Sequence, residues 1–171
     1  MKLVAVIFIA GISIKTLSAQ IKYDKIDDFG NYQADWAMVE MDHKFGFVDK
    51  KGNLVISPKY DHIGPFGDIK SDWAMVTLGN KFGFIDDKGN EIVQPICDHV
   101  GQFGDYKKNW ALIQIDKKLG FIDKKGNVVV EPLFDSIGLF GDLKADWAVV
   151  TIKDKSGFID SDGKIVQSSE L

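Results

Sequence analysis

The sequence predicts an all-β protein built from four tandem copies of one 37-residue unit. Three observations predict this class. The first is a column of tryptophans at a constant spacing of 37 residues: Trp36, Trp73, Trp110 and Trp147. The second is an alternation of apolar and polar residues after each tryptophan, which is typical of a strand. The third is a recurring Asp-x-x-Gly signature between two strand-like runs, which is typical of a tight turn.

The N-terminal residues have the layout of a secretory signal peptide. Lys2 supplies the positive charge, residues 3–14 form the apolar run, and the small residues Ser18 and Ala19 precede Gln20. We therefore predict a signal peptide over residues 1–19, with residues 20–171 exported to the periplasm, the cell surface or the exterior. An uncleaved anchor helix is the alternative, but the apolar run has about 12 residues and a span needs about 20.

The repeats follow without insertion or deletion. We place them at residues 23–59, 60–96, 97–133 and 134–170. The last copy is the most divergent, because Ser169 stands where the other copies have proline and Gln167 stands where they have an aliphatic residue. Terminal repeats are often polar in this way, since no neighbour covers their outer side.

Each unit is expected to contain about three short strands. In the second unit, Ala74, Val76 and Leu78 form a purely apolar face, and Trp73 lies on the opposite face. A second strand covers residues 82–86. A third covers residues 90–94 and ends at Pro95, which cannot donate to a ladder. A short fourth strand near the start of the unit, at residues 23–29 in the first copy, remains an alternative.

A tight turn joins the second and third strands. Asp at its first position and Gly at its fourth predict a type I turn closed by a left-handed glycine, with the carboxylate accepting hydrogen bonds from turn amides. The predicted turn residues are Asp49, Gly52, Asp86, Gly89, Asp123, Gly126, Asp160 and Gly163.

A three-stranded unit cannot bury its apolar face alone, whereas stacked copies can. The sequence therefore predicts a solenoid-like β-repeat array. A small four-bladed propeller-like closure is the alternative, because propeller blades usually have four strands.

The repeats resemble the WG-repeat family, also called the KWG-repeat family. In the second unit the resemblance lies in Tyr60-Asp61, in the segment KFGFID at residues 81–86, and in Val93-x-Pro95. The name-giving tryptophan before glycine is absent, and Phe45, Phe82, Leu119 and Ser156 stand in its place. The resemblance implies a bacterial all-β repeat protein, often exported, with no established catalytic residues.

Charge and composition argue against nucleic acid as a partner. All 21 basic residues are lysine, and the formal net charge is −4. An acidic chain without arginine lacks the bidentate phosphate contacts that nucleic-acid binding uses. Cys97 is the one cysteine, so no intrachain disulfide can form.

Two sets of aromatic residues are candidates for a ligand face. The tryptophan column could form a stacking ladder for sugar rings or a proline-rich peptide, or it could be core between neighbouring units. The variable loop position carries Tyr32, Ile69, Tyr106 and Leu143. Variable and exposed loop residues are where a partner surface is expected.

The sequence gives less support for a catalytic site or a metal site. Recurring aspartates such as Asp68, Asp105 and Asp142 could bind Ca²⁺, but turn and strand-end capping accounts for them, and no EF-hand loop is complete. His62 and His99 share a phase, yet zinc needs three or four ligands. Cys97 occupies an aromatic core position.

We therefore predict no catalytic residue, no metal and no cofactor. The predicted function is a non-enzymatic binding module of the cell envelope or secreted fraction. Its partner is a protein or, as the alternative, a carbohydrate bound on the repeated Trp or loop Tyr faces.

Overall fold

The computed structural model of the chain describes residues 22–166, and every regular element in that range is a β-strand. The predicted signal peptide lies outside the described residues, as do Gln167 and Ser169 of the divergent last repeat. A search of the described part for a helix long and apolar enough to cross a bilayer finds none.

Sixteen strands form four antiparallel sheets of four strands each. The first sheet contains β1 (Lys25–Ile26), β2 (Trp36–Met41), β3 (Lys44–Asp49) and β4 (Leu54–Tyr60). The second contains β5 (His62–Phe66), β6 (Trp73–Leu78), β7 (Lys81–Asp86) and β8 (Glu91–Cys97). The third contains β9 (His99–Val100), β10 (Trp110–Ile115), β11 (Lys118–Asp123) and β12 (Val128–Phe134). The fourth contains β13 (Ser136–Ile137), β14 (Ala148–Ile152), β15 (Lys155–Ile159) and β16 (Ile165–Val166).

The prediction of an all-β repeat array is confirmed, with one correction to the strand count. Each sheet has four strands rather than about three, because a short strand precedes the tryptophan strand in every repeat. Three of these added strands have only two residues. So short a strand shows no period-two pattern in the sequence, and only pairing with its neighbour defines it.

The chain divides into two compact units, one ending at Ile63 and the other starting at Gly64. The first unit holds the first sheet. Its core consists of Ala37, Val39 and Val48, with Tyr23 and Ile26 packed against them. The apolar face that follows each tryptophan is therefore buried in this unit, as its alternation predicts.

In the second unit, successive sheets pack face to face. One cluster joins the second and third sheets: Trp73, Phe84, Val93 and Cys97 with Ala111, Ile113 and Ile122. The other joins the third and fourth sheets: Trp110, Phe121, Val130 and Phe134 with Ile137, Ala148, Val150 and Ile159. In both clusters the tryptophan side of one sheet meets the alanine side of the next. Both faces of a sheet are buried in this way, which is how repeats too small to fold alone stabilise one another.

The second and third strands of each sheet are joined by a two-residue hairpin loop. In the third repeat Asp116 and Lys117 both have positive φ, 49° and 67°, and Lys153 and Asp154 repeat this in the fourth, at 48° and 64°. Two successive left-handed residues make a type I′ turn, whose twist matches that of the strands. The sequence does not reveal the turns of the third and fourth repeats, because Asp-Lys and Lys-Asp lack the glycine of the pairs that usually mark a type I′ turn.

Glycine at the second loop position is expected to stabilise the protein. Lys117 holds a left-handed conformation that costs a non-glycine residue about 1–2 kcal/mol, and glycine removes this cost. Part of the gain is offset, because glycine is more flexible than lysine in the unfolded chain. We expect Lys117→Gly to raise the free energy of unfolding by about 0.5–1 kcal/mol. Urea denaturation measures it. Lys125→Gly is the control, because Lys125 lies in a tight turn without positive φ, and a lower stability for Lys117→Gly than for this control would contradict the prediction.

The third and fourth strands pair through a bulge that lies over a glycine. Phe84 faces Val93 and Phe82 faces Cys97, so the register shifts between these pairs. A Cβ placed on the intervening Gly83 would lie 2.5 Å from the Val93 carbonyl oxygen and 2.6 Å from the Pro95 nitrogen. Gly46 and Gly120 lie equally close under the bulges of β4 and β12, with the proline nitrogen 2.7 Å away. The glycine of the KFGF segment is thus required by the backbone that passes over it.

Candidate interaction surface

The tryptophan column is core in the second unit. Trp73 is 3% exposed and Trp110 is 8% exposed. The ring of Trp73 packs on Phe84 at 5.3 Å and edge-on against Phe103 of the next repeat at 5.8 Å. Trp110 repeats this arrangement with Phe121 and Phe140. These two tryptophans therefore present almost no ring surface to a ligand.

The tryptophans of the first and last repeats are half-buried. Trp36 packs on Phe47 with ring centroids 5.3 Å apart. Trp147 packs on Phe158 at 5.5 Å, and the Lys144 ammonium lies 3.4 Å from its ring centroid. Among the residues described, Trp147 has no phenylalanine in the role that Phe140 plays for Trp110. The four tryptophans thus do not form a ladder of equally exposed rings.

The loop position of the two tyrosines also serves packing in the first three repeats. Tyr32 and Tyr106 are half-buried, each edge-on to the phenylalanine of its third strand, Phe47 and Phe121. Ile69 packs against the cluster between the second and third sheets. In the fourth repeat the equivalent residue is Leu143, which is 75% exposed. One repeat position is therefore half-buried in the first three repeats and exposed in the fourth.

Each predicted turn aspartate accepts hydrogen bonds within its own turn. Asp49 Oδ1 accepts from the amides of Lys51 and Asn53, both at 2.8 Å, and its Oδ2 accepts from the Asn53 side chain at 2.9 Å. Hydrogen bonds from Asn53 hold the pKa of Asp49 below its usual range. Gly52 has a φ of 81° and donates to the Asp49 carbonyl.

The same turn recurs in every repeat. Asp86, Asp123 and Asp160 each accept from the amides two and four residues later. Gly89, Gly126 and Gly163 likewise have positive φ. Partial burial raises the pKa of Asp86, but hydrogen bonds from Asn90 and Lys88 outweigh it, so the net shift is downward. These carboxylates are occupied by structural hydrogen bonds.

A second aspartate column connects successive repeats. Asp98 lies between β8 and β9, where one sheet ends and the next begins. Its Oδ1 accepts from Lys81 of the preceding sheet at 2.7 Å, and its Oδ2 accepts from the Asp116 amide of its own sheet at 2.7 Å. Asp135 makes the same two contacts, with Lys118 and with the Lys153 amide. In the first unit Lys44 pairs with Asp61 at 2.5 Å. Sequence reasoning missed this bridging role.

This bridge predicts acid sensitivity. The hydrogen bond from Lys81 holds the pKa of Asp98 below its ordinary value of 3.8, and the Asp98 partner raises the pKa of Lys81 above its ordinary 10.5. A lowered carboxyl pKa contributes stability above the unfolded value, and that contribution is lost as the pH falls through the folded value. A raised lysine pKa contributes stability at neutral pH that is lost above its ordinary value.

We therefore expect the melting temperature to fall as the pH drops below about 4, and Asp98→Asn to reduce that fall. Thermal melts from about pH 2 to about pH 7 measure both curves. Asp87→Asn serves as the control, because Asp87 is an exposed aspartate at a hairpin tip. An Asp98→Asn curve parallel to that of the wild type would contradict the prediction.

The residues considered for metal binding and catalysis differ in their exposure. His62 and His99 are exposed, and a search of residues 22–166 finds no group of three or more His, Cys, Asp or Glu placed to hold a metal. Cys97 is fully buried, and that burial raises the pKa of its thiol to about 11. A thiol in that state is protonated at neutral pH and is a poor nucleophile.

The fourth repeat contains an apolar groove that sequence reasoning missed. It has a volume of about 380 Å³ and lies along β14 and β15. Among the described residues, Phe134, Val150, Ile152 and Ile165 form its apolar part, and Lys153, Lys155, Ser156 and Gly157 also line it. The signal in the sequence is Ser156, which stands where the other repeats have Phe45, Phe82 and Leu119.

Comparison with protein families identifies the repeat. A family model described as "WG containing repeat" matches residues 45–82, 82–118 and 120–155, which together make up more than half of the chain. The chain belongs to the WG-repeat family. The predicted resemblance is thus confirmed. The matched segments of this WG-repeat chain begin at the third strand of one sheet and end in the next sheet. The boundaries of the family repeat therefore do not coincide with those of the four-stranded sheets. No curated protein matches the WG-repeat chain in sequence.

Proposed function

We propose that this WG-repeat domain is a non-enzymatic protein-binding module that acts after export, in the cell envelope or outside the cell. The observation that carries the proposal is the exposed apolar surface of the fourth repeat. Leu139 is 50% exposed, Leu143 is 75% exposed and Ile165 is 61% exposed. Exposed apolar side chains concentrated in one part of a protein are typical of interaction sites.

Comparison between repeats strengthens this point. Leu139 stands where the other copies have Asp28, Pro65 and Gln102. Leu143 stands where Tyr32 and Tyr106 pack inward. The fourth repeat therefore has an aliphatic residue at a position that is Asp, Pro or Gln elsewhere, and it exposes its apolar residue at a position that is half-buried in the other repeats.

The chemistry of the remaining polar groups supports a binding role rather than catalysis. The turn aspartates and the bridging aspartates accept structural hydrogen bonds that recur from repeat to repeat. The thiol of Cys97 is buried and protonated. An active site needs a nucleophile, or an acid and a base, directed at a common point. The repeated aspartates of this domain instead accept hydrogen bonds within their own turns or from neighbouring repeats.

A carbohydrate partner is the second candidate, and Trp147 favours it. Its ring is half-buried and carries the Lys144 ammonium at 3.4 Å from the centroid. A partly exposed indole can stack on a sugar ring. With Trp73 and Trp110 in the core, such binding would involve single rings rather than a ladder.

The test is affinity capture from envelope extract with the full chain, compared with a Leu139→Asp/Leu143→Asp variant. We expect a protein to be captured by the wild type and to be lost with the variant. Leu133→Asp is the matched control, because Leu133 is 52% exposed but lies in the third repeat. Capture that survives the double change, or capture that Leu133→Asp abolishes equally, would contradict the proposal.

A glycan array with the same proteins tests the second candidate. Binding that Trp147→Ala abolishes and Leu139→Asp/Leu143→Asp leaves intact would favour carbohydrate over protein. No glycan signal together with protein capture would favour the protein partner.

A further inference from the structure

We propose that four lysines of the third repeat form a docking site for a short acidic segment of a partner protein, beside the exposed leucines of the fourth repeat. The four residues are Lys107, Lys108, Lys124 and Lys125, and we call them the lysine patch. This proposal rests on the proposed protein-binding function and specifies the chemistry of the partner.

The fold brings the lysine patch to one end of the third sheet. Its first two lysines lie in the loop that leads into β10, and the other two lie in the turn that follows β11. The first residue of β10, Trp110, pairs with the last residue of β11, Asp123, so the loop and the turn adjoin. The Lys124 ammonium lies 5.9 Å from the ring centroid of Phe103, which belongs to that loop. Residues 17 positions apart in the chain therefore share one surface.

The corresponding positions carry less positive charge in the other repeats. In the third repeat the last three loop residues and the first two variable turn residues are the lysine patch and Asn109, with no acidic residue among them. The other repeats have the following residues there: Gln33, Ala34, Asp35, Lys50 and Lys51; Lys70, Ser71, Asp72, Asp87 and Lys88; Lys144, Ala145, Asp146, Ser161 and Asp162. Each of these sets contains at least one aspartate. The positive charge is thus concentrated on one repeat of an otherwise acidic chain.

The aspartate before the tryptophan pairs with a lysine in the first two repeats. Lys50 pairs with Asp35 at 2.7 Å. Lys70 pairs with Asp72, and its hydrogen bond holds the pKa of Asp72 below the ordinary value of 3.8. The third repeat has Asn109 at this position. An amide carries no charge, so the lysines of this repeat lack the counter-charge that the first two repeats supply.

The acidic groups of the same loop and turn accept other hydrogen bonds. Asp105 accepts from an amide of its own loop, and Asp123 accepts from two turn amides while its charge offsets part of that of Lys125. The Lys107 ammonium donates to the carbonyl oxygen of Ser161, which is uncharged. Within residues 22–166 no ion pair joins the lysine patch to a carboxylate. Lys108, Lys124 and Lys125 are exposed and available to a partner.

The lysine patch adjoins the apolar surface of the proposed function. The Lys107 ammonium lies 4.1 Å from the ring centroid of Trp110 and 5.8 Å from that of Phe140. Phe140 directly follows Leu139, and Leu143 lies in the same loop. Both leucines are exposed. A partner segment that combines acidic and apolar side chains matches the two surfaces together.

The charge distribution favours a short acidic segment over a long polyanion or an anionic membrane. The neighbouring repeats carry aspartates at the same end of their sheets, and the whole chain has 25 acidic residues against 21 lysines. Charges act over about 8–10 Å at physiological salt, so an extended anion would be repelled beyond the patch. Opposite charges across an interface also select the partner and speed its association.

The experiment uses a fluorescein-labelled synthetic peptide of repeated Glu-Glu-Leu triplets. Its fluorescence anisotropy is titrated with the full chain. We expect saturable binding that weakens as the NaCl concentration rises, because salt screens exposed charges. A peptide of Gln-Gln-Leu triplets is the negative control and should not bind.

Two variants locate the binding site. Lys124→Glu/Lys125→Glu is expected to weaken peptide binding at least about tenfold, because like charges across an interface repel. Lys50→Glu/Lys51→Glu makes the same charge change at the same positions of the first repeat, and should weaken binding less than about twofold. Asn109→Asp restores the aspartate of the other repeats with little change in shape. We expect it to weaken binding several-fold.

The absence of saturable peptide binding would overturn the proposal. Equal losses of affinity in Lys124→Glu/Lys125→Glu and Lys50→Glu/Lys51→Glu would do the same, since net charge rather than the patch would then set the affinity. Phosphatidylglycerol vesicles are the second probe. Cosedimentation with these vesicles that Lys124→Glu/Lys125→Glu abolishes, without peptide binding, would assign the patch to a lipid surface instead.

Capture from envelope extract separates this proposal from the proposed function. A partner that is lost with Leu139→Asp/Leu143→Asp but retained by Lys124→Glu/Lys125→Glu would reject the acidic segment and leave the function standing. A partner that both variants lose, together with peptide binding, supports both. Failure of the wild type to capture any protein would count against the function itself.

Discussion

Gly83→Ala is expected to lower the free energy of unfolding by about 2–4 kcal/mol, because overpacking at a rigid contact is costly. The new Cβ would lie 2.5 Å from the Val93 carbonyl oxygen and 2.6 Å from the Pro95 nitrogen. Both atoms belong to backbone rather than to a flexible side chain. β8 would have to move away from β7, and the buried contact between Val93 and Phe84 would be loosened.

Urea denaturation followed by tryptophan fluorescence measures this change. Gly101→Ala is the control, since a Cβ on Gly101 would meet its nearest atom, Leu112 Cβ, at the ordinary contact distance of 3.5 Å. We expect the control to change stability by less than about 0.5 kcal/mol. Equal losses in the two variants would contradict the view that the covering strand, rather than the glycine itself, sets the cost.

Phe121→Ala is expected to lower the free energy of unfolding by about 3–5 kcal/mol, the range for removal of a buried aromatic ring. Phe121 is fully buried between the third and fourth sheets. Its ring lies 5.4 Å from Tyr106, 5.5 Å from Trp110 and 6.3 Å from Phe140. The substitution leaves a cavity in a cluster that two repeats share, so both repeats lose packing.

Chemical denaturation again provides the measurement, and two controls bracket it. Phe121→Leu keeps much of the apolar volume and should cost clearly less than Phe121→Ala. Leu143→Ala removes a side chain that is 75% exposed and should change stability by about 0.5 kcal/mol or less. A Phe121→Ala loss no larger than that of Leu143→Ala would show that the packing between these repeats contributes little.

The two variants also bear on where function resides. Gly83 lies under a covering strand, and Phe121 lies between two packed sheets. Leu143 occupies the same repeat position as Tyr106, and it is 75% exposed. A residue that is structural in an inner repeat becomes available for binding in the last one. We therefore expect changes in the fourth repeat to affect partner binding more than stability.

The sequence alone determined the fold class and the repeat. A constant 37-residue spacing, an alternating strand after each tryptophan and an Asp-x-x-Gly turn are local patterns. Such patterns are legible without a structure because strand period and turn chemistry depend on neighbours in the chain. The family resemblance followed from the same motifs. The short first strand of each sheet could not be predicted in this way, because two residues such as His99–Val100 are too few to show an alternating pattern.

Only the tertiary structure decided which of the repeated residues are exposed. Trp110 is 8% exposed and its ring is covered by Phe140, whereas Trp147 at the same position is half-buried. The bridging role of Asp98 likewise depends on what the adjoining sheet contributes. The physical reason is that burial is a property of the contact between two elements, and identical residues acquire different roles when only one of them has a neighbour.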